Sequence, residues 1–142
     1  MGKMYLLDTN IISEFTKLNP DKKVMNLYEI RKRVTAISAV TWQEMTYGIE
    51  RMPEGRKKRT LSAFAAQLEC NTEIIPYDES AAFLCGRLQS QCEKVGKPLP
   101  YNDAQIAATA LSRGMVLVTH NTADFSELVE NSFLKMEDWF EA

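Results

Sequence analysis

The sequence predicts an α/β fold in which helices cover both faces of a mostly parallel sheet of four or five strands. Short apolar runs alternate with amphipathic segments along the 142 residues, and this alternation is typical of parallel sheets. The apolar run Met115–Thr119 indicates a strand that is covered on both faces. Polar residues follow the strands at Asp8 and His120, so we expect the functional edge at the carboxyl ends of the strands.

The pattern at the start of the chain predicts a strand over Met4–Leu7 that ends at Asp8 and is followed by one or two helical turns. Pro20 occupies the favoured first turn of a second helix. An alternating, partly β-branched stretch predicts the second strand over Val34–Val40. The next four residues, Thr41–Glu44, have the T-x-x-E form of a capping box, which predicts that a third helix begins there.

The second half of the chain continues the alternation of helices and strands. Asn102 or Asp103 suits the N-cap of the last predicted helix, and Gly114 suits the left-handed position after its end. No repeat or linker interrupts the pattern, so we expect one domain over residues 1–142. The remaining predicted elements are helix Arg56–Cys70, strand Glu73–Tyr77, a helix capped by Asp78 and running to about Val95, helix Asp103–Arg113, strand Met115–Thr119 and edge strand Phe133–Met136.

Charge is distributed unevenly, although the net charge is only −2. Residues 1–60 hold 12 Lys and Arg against 7 acidic residues, whereas residues 61–142 hold 5 against 12. The basic excess comes largely from Arg31–Arg33 and Arg56–Arg59, and such runs are usually solvated helix ends and turns. The alternative is a rim that contacts phosphates, which would make ligand binding strongly salt-dependent.

Composition excludes several classes of protein. No segment approaches the ~20 apolar residues of a membrane span, and no signal-peptide pattern opens the chain, so we expect a soluble, cytoplasmic protein without a membrane partner. The three cysteines lack C-x-x-C spacing and His120 is the only histidine, so neither a disulfide framework nor a zinc site is indicated. A single histidine beside a strand end is more often a hydrogen-bonding neighbour than a catalyst.

Four acidic residues are the candidates for chemistry: Asp8, Glu44, Asp103 and Asp124. Each also has a structural alternative, because the aspartates suit helix caps and Glu44 suits the returning half of the capping box. Three of the four lie at or just past strand ends, and parallel strands gather those ends along one edge. Asp103 begins a helix that follows another helix, so periodicity does not determine its edge.

Converging carboxylates would require a cation. Carboxylates within a few Å of one another repel, and one or more would keep its proton at neutral pH unless a cation intervened. Mg²⁺ prefers oxygen ligands and typically takes one or two carboxylates together with substrate phosphate, and Mn²⁺ fits the same ligands. An ion held in this way supports phosphodiester cleavage without a catalytic His or Cys.

Four segments in order resemble one family, the PIN-domain ribonucleases of VapC-type toxins in bacterial toxin-antitoxin pairs. The resemblance extends from the first strand to Phe125, which is nearly the whole chain. Each motif is weak alone, but four in register are specific. The segments are Leu7–Asn10 with Ser13 and Glu14, Ser38–Gly48 (SAVTWQEMTYG), Asp103–Ala110 (DAQIAATA) and Val118–Phe125 (VTHNTADF).

This resemblance implies a PIN-like three-layer sandwich and a Mg²⁺-dependent endoribonuclease in which Mn²⁺ substitutes. Asp8, Glu44 and Asp103 match the acidic triad of the family, and Asp124 matches its fourth acid. Asp8 and Asp103 would bind the metal most directly, and Asp124 would complete the site. Glu44 would orient or deprotonate the attacking water or ligate a second ion. The supporting polar positions of the family match Asn10, Thr119 and Asn121.

The resemblance also implies products and partners. Hydrolysis would leave a 5′-phosphate and a 3′-hydroxyl on RNA. The protein would form a homodimer and a hetero-oligomer with a cognate antitoxin, whose tail enters the acidic groove and offers an arginine. Two alternatives stay open: a PIN-like module that binds RNA or protein without cleavage, and a nuclease of this fold that acts on DNA.

Overall fold

Five parallel strands form the centre of the molecule, as the sequence predicts. The structure is a computed structural model that describes residues 2–141; Met1 and Ala142, at the limits of the predicted domain, lie outside the described residues. The strand order across the sheet is β3-β2-β1-β4-β5. The strands are β1 (Tyr5–Leu7), β2 (Thr35–Ser38), β3 (Glu73–Ile75), β4 (Val116–Val118) and β5 (Lys135–Glu137).

Helices cover both faces of this sheet, which gives the expected three-layer sandwich. Alternate strand residues face opposite sides, so Leu6 and Leu117 lie in one apolar core while Leu7 and Val118 lie in the other. The first core contains residues of α5, α6 and α7, and the second contains residues of α1, α2 and α4. The helices are α1 (Thr9–Glu14), α2 (Lys22–Arg31), α3 (Ala39–Glu50), α4 (Arg56–Asn71), α5 (Glu79–Lys94), α6 (Tyr101–Ser112) and α7 (Thr122–Asn131).

The strand order places the candidate functional edge between β1 and β4. The chain moves outward from β1 through β2 to β3, and then returns to the other side of β1 to form β4 and β5. Ligands of open α/β sheets bind at such a reversal, beyond the carboxyl ends of the strands. Asp8 follows β1 directly, and its backbone N–H donates to the Val118 carbonyl at 2.9 Å. Thr119 follows β4, so the two side chains start on adjacent strands.

The capping box predicted at Thr41–Glu44 is wrong. Helix α3 begins earlier, at Ala39, and its N-cap is Ser38, whose Oγ accepts the backbone N–H of Thr41 at 3.0 Å. The predicted strand Val34–Val40 is correspondingly shorter, because Ser38 leaves the extended conformation of β2 directly into the helix. Glu44 therefore lies in the second turn of α3, and its carboxylate is available to other partners.

The aspartates of the other two helices lie inside the first turn rather than at the cap. Helix α6 begins at Tyr101 after Pro100, so the predicted caps Asn102 and Asp103 are wrong. Helix α7, which the periodicity did not predict, begins at Thr122 after Asn121, and it places Asp124 in its first turn. Both first turns face the carboxyl edge of the sheet, where acidic side chains interact favourably with the helix dipole.

The glycine expected after α6 has the predicted conformation. Gly114 has φ +63°, a left-handed conformation that residues with a Cβ rarely adopt. The N–H of Met115 donates to the Ala110 carbonyl at 2.9 Å and closes the helix end. This tight exit leads the chain directly from α6 into β4.

Part of the basic excess has a structural use. Arg31 donates to Glu137 of β5 at 2.8 Å, and its guanidinium lies 4.6 Å from the centre of the Tyr5 ring. Lys32 pairs with Glu29 at 3.1 Å. These contacts favour the interpretation of the first basic run as a helix end over its interpretation as a phosphate rim. In the described part of the chain, no helix is long and apolar enough to cross a membrane.

Candidate active site

Asp8 is the most buried of the four candidate acids. Only 3% of its surface is exposed. Its Oδ1 accepts the backbone N–H of Thr9 at 2.7 Å, and its Oδ2 accepts the Thr119 hydroxyl at 2.8 Å. Burial raises the pKa of the Asp8 carboxyl above its usual value, although these hydrogen bonds oppose the rise. Asp8 therefore caps α1 through Oδ1, whereas its Oδ2 joins the end of β1 to the end of β4.

Asn10 and Thr119 join the first strand end to the fourth. Asn10 Nδ2 lies 3.2 Å from both Asp8 Oδ2 and Thr119 Oγ1, and Asn10 Oδ1 accepts the backbone N–H of His120 at 3.1 Å. Thr119 Oγ1 also accepts the backbone N–H of Asn121 at 3.1 Å. Two of the three predicted supporting residues therefore position Asp8 through their side chains, whereas Asn121 contributes its backbone.

Glu44 reaches the same edge from α3, and two neighbouring elements hold it there. Its Oε1 accepts the Thr9 hydroxyl at 2.7 Å, and its Oε2 accepts the Asn102 amide at 3.0 Å. Thr9 follows Asp8 at the start of α1, and Asn102 precedes Asp103 in α6. Each hydrogen bond thus ties Glu44 to the segment that carries another acid. Sequence reasoning missed Thr9 and Asn102 as partners of Glu44, because they lie 35 and 58 positions away from it.

Asp103 links the four acids electrostatically. The structure raises the pKa of its carboxyl to about 6 from an ordinary value of 3.8, chiefly through burial and then through the charges of Asp8, Asp124 and Glu44. All four contributions disfavour the charged carboxylate. Asp103 therefore lies at the same edge of the sheet as the other three acids, which periodicity alone had not determined.

Asp124 lies at the solvent side of this group. Its side chain is exposed in the first turn of α7, and its charge still raises the pKa of Asp103. Within residues 2–141, no three His, Cys, Asp or Glu side chains lie close enough together to form a ready metal site. The four acids thus share an edge and interact as charges, but they do not form a closed coordination shell.

Their donor chemistry nevertheless fits a hard divalent cation. The oxygens of Asp8, Asp103 and Asp124 are the type of ligand that Mg²⁺ and Mn²⁺ take, and Mg²⁺ usually keeps several of its waters rather than filling its shell with protein atoms. A cation would also remove the repulsion that raises the pKa of Asp103. The open arrangement therefore suits an ion bound partly through water and substrate.

His120 has the neighbour role that the sequence favoured. Its Nδ1 lies 3.1 Å from Asp138 Oδ2, and its ring lies 4.1 Å from the centre of the Phe140 ring. Its backbone, not its ring, contacts Asn10. The imidazole thus packs the end of the chain against the loop after β4.

Glu14 is a buried acid that belongs to the fold. Lys17 pairs with its Oε1 at 2.8 Å, and the backbone N–H of Asp21 donates to its Oε2 at 2.7 Å. The hydrogen bonds from Lys17 and Asp21 lower the pKa of the Glu14 carboxyl below its usual value. Its contacts close the turn between α1 and α2, away from the four candidate acids.

This arrangement of strands and acids can be compared with known proteins. A model of the PIN domain matches residues 5–131. The chain belongs to the PIN domain family. Among its relatives, the tRNA(fMet)-specific endonuclease VapC of Shigella flexneri is 33% identical over 137 residues, which cover 95% of this chain and 97% of the relative.

Solved structures agree with this membership of the PIN family. The VapBC2 structure of Rickettsia felis, bound to a DNA fragment from its promoter, has a TM-score of 0.80 at 27% identity and covers 96% of this chain and 98% of the solved one. A toxin-antitoxin complex from Klebsiella pneumoniae has a TM-score of 0.66 at 26% identity, with 86% and 90% covered. Further relatives at about 30% identity carry the name VapC ribonuclease. The chain is a PIN-domain ribonuclease of the VapC type, as the sequence predicted.

Proposed function

We propose that this PIN-domain ribonuclease is an endoribonuclease toxin that hydrolyses RNA with Mg²⁺, for which Mn²⁺ substitutes, and leaves a 5′-phosphate and a 3′-hydroxyl. The observation that supports this proposal most directly is the convergence of the acids at one edge, since Thr9 beside Asp8 and Asn102 beside Asp103 both donate to Glu44. Burial and the charges of the other three carboxylates also raise the pKa of the Asp103 carboxyl. Such repulsion is a cost to the fold, and a divalent cation would offset it.

Asp8 and Asp103 would bind this ion most directly, and Asp124 would complete its binding. A bound divalent ion supplies charge neutralisation at the phosphodiester and favours ionisation of water. The protein positions Asp8 for this task through Thr119 and Asn10, which leave its carboxylate little freedom. Burial of Asp8 and partial burial of Asp103 lower the local dielectric, which strengthens their attraction for a cation.

Glu44 would orient the attacking water and accept its proton. Thr9 and Asn102 each donate to one oxygen of this carboxylate, so its direction is fixed before substrate arrives. A base must lie within hydrogen-bond reach of the proton that it removes, and such fixed orientation favours transfer. Ligation of a second ion by Glu44 is the other role that the resemblance implies.

The first experiment is cleavage of RNA by purified protein with Mn²⁺, compared with Asp8→Asn and Asp103→Asn. Both variants should lose cleavage while they keep their far-ultraviolet circular dichroism, and Glu130→Gln, an exposed acid on α7, should cleave at the parental rate. Cleavage by either asparagine variant at the parental rate would contradict the site assignment. Because the Shigella flexneri relative is named for tRNA(fMet), this tRNA is the first substrate to test.

The same assay separates the alternative functions. Failure of the parent to cut any RNA would favour a PIN-like module that binds without cleavage. Faster cleavage of a DNA strand of matched sequence would favour a DNA nuclease. The product ends are identified by labelling with a polynucleotide kinase before and after phosphatase treatment. A product with a 5′-phosphate should be labelled only after the phosphatase has removed that phosphate.

A cognate antitoxin would inhibit the enzyme by entering the acidic edge. An apolar cavity of about 210 Å³ between α1, α3 and α4 opens beside Thr9 and Glu44, and its walls include Ile12, Met45 and Phe64. An antitoxin tail that lies along this cavity would bring a basic side chain to Glu44. Gly48 also lines this cavity and has open space where a Cβ would stand, so Gly48→Leu should obstruct the tail and abolish inhibition by the co-expressed antitoxin while RNA cleavage by the free toxin stays intact.

The predicted homodimer belongs to the same proposal. Size-exclusion chromatography with light scattering should give twice the chain mass of 16.2 kDa for the free toxin and a larger mass for the complex with antitoxin. A mass of 16.2 kDa at all concentrations would contradict the dimer.

A further inference from the structure

A second cavity adjoins the candidate active site at Asp124. It lies between the loop after α5 and the first turns of α7, and its volume is about 250 Å³. Asp124 lines it together with Lys97, Pro98, Pro100 and Glu127. Because Asp124 is both a lining residue and one of the four candidate acids, this cavity borders the acidic edge where cleavage is proposed.

Lys97 provides the positive charge of this cavity. Of the lining residues in the described part of the chain, Lys97 alone is basic, whereas Asp124 and Glu127 are acidic. Its Nζ lies 3.8 Å from Glu127 Oε2, and 68% of its side chain is exposed. An ion pair of this length and exposure contributes little to stability, so the Lys97 ammonium can leave Glu127 for an anion of higher charge.

The loop holds Lys97 beside the cavity through its backbone. Gly96 has φ +73°, and its N–H donates to the Glu93 carbonyl at 3.0 Å, while the Lys97 N–H donates to the Cys92 carbonyl at 2.9 Å. These two bonds form a Schellman motif, which ends α5 in a defined direction. Prolines at positions 98 and 100 stiffen the chain from there to α6. The lysine therefore projects from a rigid loop, although its side chain is exposed.

An RNA substrate needs such a charge at this place. The four acids repel the phosphates that flank the scissile bond, and Arg31 and Lys32 of the first basic run are engaged with Glu137 and Glu29. We propose that this cavity binds a backbone phosphate of the RNA next to the scissile bond, with the Lys97 ammonium as its counter-charge. The proposal rests on the proposed ribonuclease function, and it assigns Lys97 to substrate binding rather than to catalysis.

The test measures RNA binding instead of cleavage, so that its failure is distinct from failure of the proposed function. The Glu44→Gln protein, with Mn²⁺, is titrated against a fluorescent ten-nucleotide single-stranded RNA of randomised sequence at several KCl concentrations. Adding Lys97→Met should weaken binding several-fold and make the slope of log affinity against log salt less negative by about 0.7, the value for one phosphate contact on a single strand. Lys97→Arg should retain the parental slope, because the charge is kept.

Lys94→Met is the matched control, since Lys94 is exposed near the end of α5 and does not line this cavity. It should leave affinity and slope unchanged. Equal slopes for Lys97→Met and the Glu44→Gln reference would overturn the proposal, and so would equal losses for Lys97→Met and Lys94→Met. In the cleaving enzyme, Lys97→Met should raise KM several-fold while kcat stays within twofold, whereas a fall in kcat alone would contradict a binding role.

Discussion

The Thr119 hydroxyl donates a hydrogen bond of 2.8 Å to Oδ2 of Asp8, a residue 111 positions earlier in the chain. Both groups are buried, and they follow the two strands between which the strand order reverses. This bond therefore joins the two halves of the sheet at the point where the proposed chemistry occurs. It also stabilises the charged form of a carboxylate whose burial favours the neutral form.

Loss of this bond should cost stability. Thr119→Val keeps the shape of the side chain and removes its hydroxyl, so the free energy of unfolding should fall by about 1–3 kcal/mol, the range for leaving a buried polar group without its partner. Thr109→Val is the control, because Thr109 is also fully buried but donates to the neutral Gln105 carbonyl of its own helix. Urea unfolding measures both, and equal losses would contradict a special role for the bond to Asp8.

Asp103 should make the metal-free protein less stable as pH rises. In the folded protein its pKa is about 6 rather than 3.8, so folding takes up a proton between these values, and its contribution to stability falls as pH rises through this window. Asp103→Asn removes the penalty. With EDTA present, the variant should gain about 1–2 kcal/mol over the parent near pH 8, a value reduced for partial exposure, and gain nothing near pH 4.

Urea unfolding at intervals between these two pH values checks this prediction. Glu130→Gln removes a carboxylate that is exposed on α7 and should show no comparable gain at high pH. If the difference in free energy of unfolding between Asp103→Asn and the parent is the same at every pH, titration of Asp103 is not its cause.

Mn²⁺ should stabilise the parent and not the asparagine variants. An ion that binds only the folded state adds RT ln(1 + [L]/Kd), about 2.7 kcal/mol at a hundredfold excess over Kd. Asp8→Asn and Asp103→Asn should each lose most of this gain, because each removes a charged oxygen ligand. Thermal unfolding with and without Mn²⁺ measures the effect without any RNA. A parental shift that persists in both variants would place the ion elsewhere.

The Thr9 hydroxyl should matter to turnover through Glu44. Thr9→Val removes the 2.7 Å bond that orients Glu44 Oε1, so kcat should fall about tenfold, as loss of about 1.4 kcal/mol of orientation would give, while KM is unchanged. Thr46→Val is the control, because Thr46 lies on α3 together with Glu44 and donates to the Gln43 carbonyl of that helix. A rise in KM without a fall in kcat would mean that Thr9 contacts substrate instead.

Local sequence patterns predicted the number and order of the strands correctly and placed three acids at strand ends, because burial on both faces and polar strand ends leave a clear signature. The bounds were less accurate, since Val34–Val40 is shortened to Thr35–Ser38 and Phe133–Met136 is shifted to Lys135–Glu137.

The local patterns failed where two neighbouring residues are equally suited to the same local role. Both Ser38 and Thr41 suit an N-cap, and Ser38 is used because β2 pairs with β3 as far as Ser38 itself, opposite Ile75. The helix of Asp124 was missed because it follows a polar cluster and buries few residues, among them Phe125 and Leu128.

The sequence by itself determined the class of fold, the alternation of strands and helices, and the four acids proposed for the site, since each depends on residue type and spacing along a short segment. Only the tertiary structure decided the partners of Glu44, the electrostatic neighbours of Asp103 and the place of Lys97. Thr9 and Asn102 meet Glu44 from different helices, and the raised pKa of Asp103 arises from charges on three other elements. Such relationships depend on distances across the sheet, which no spacing along the chain encodes.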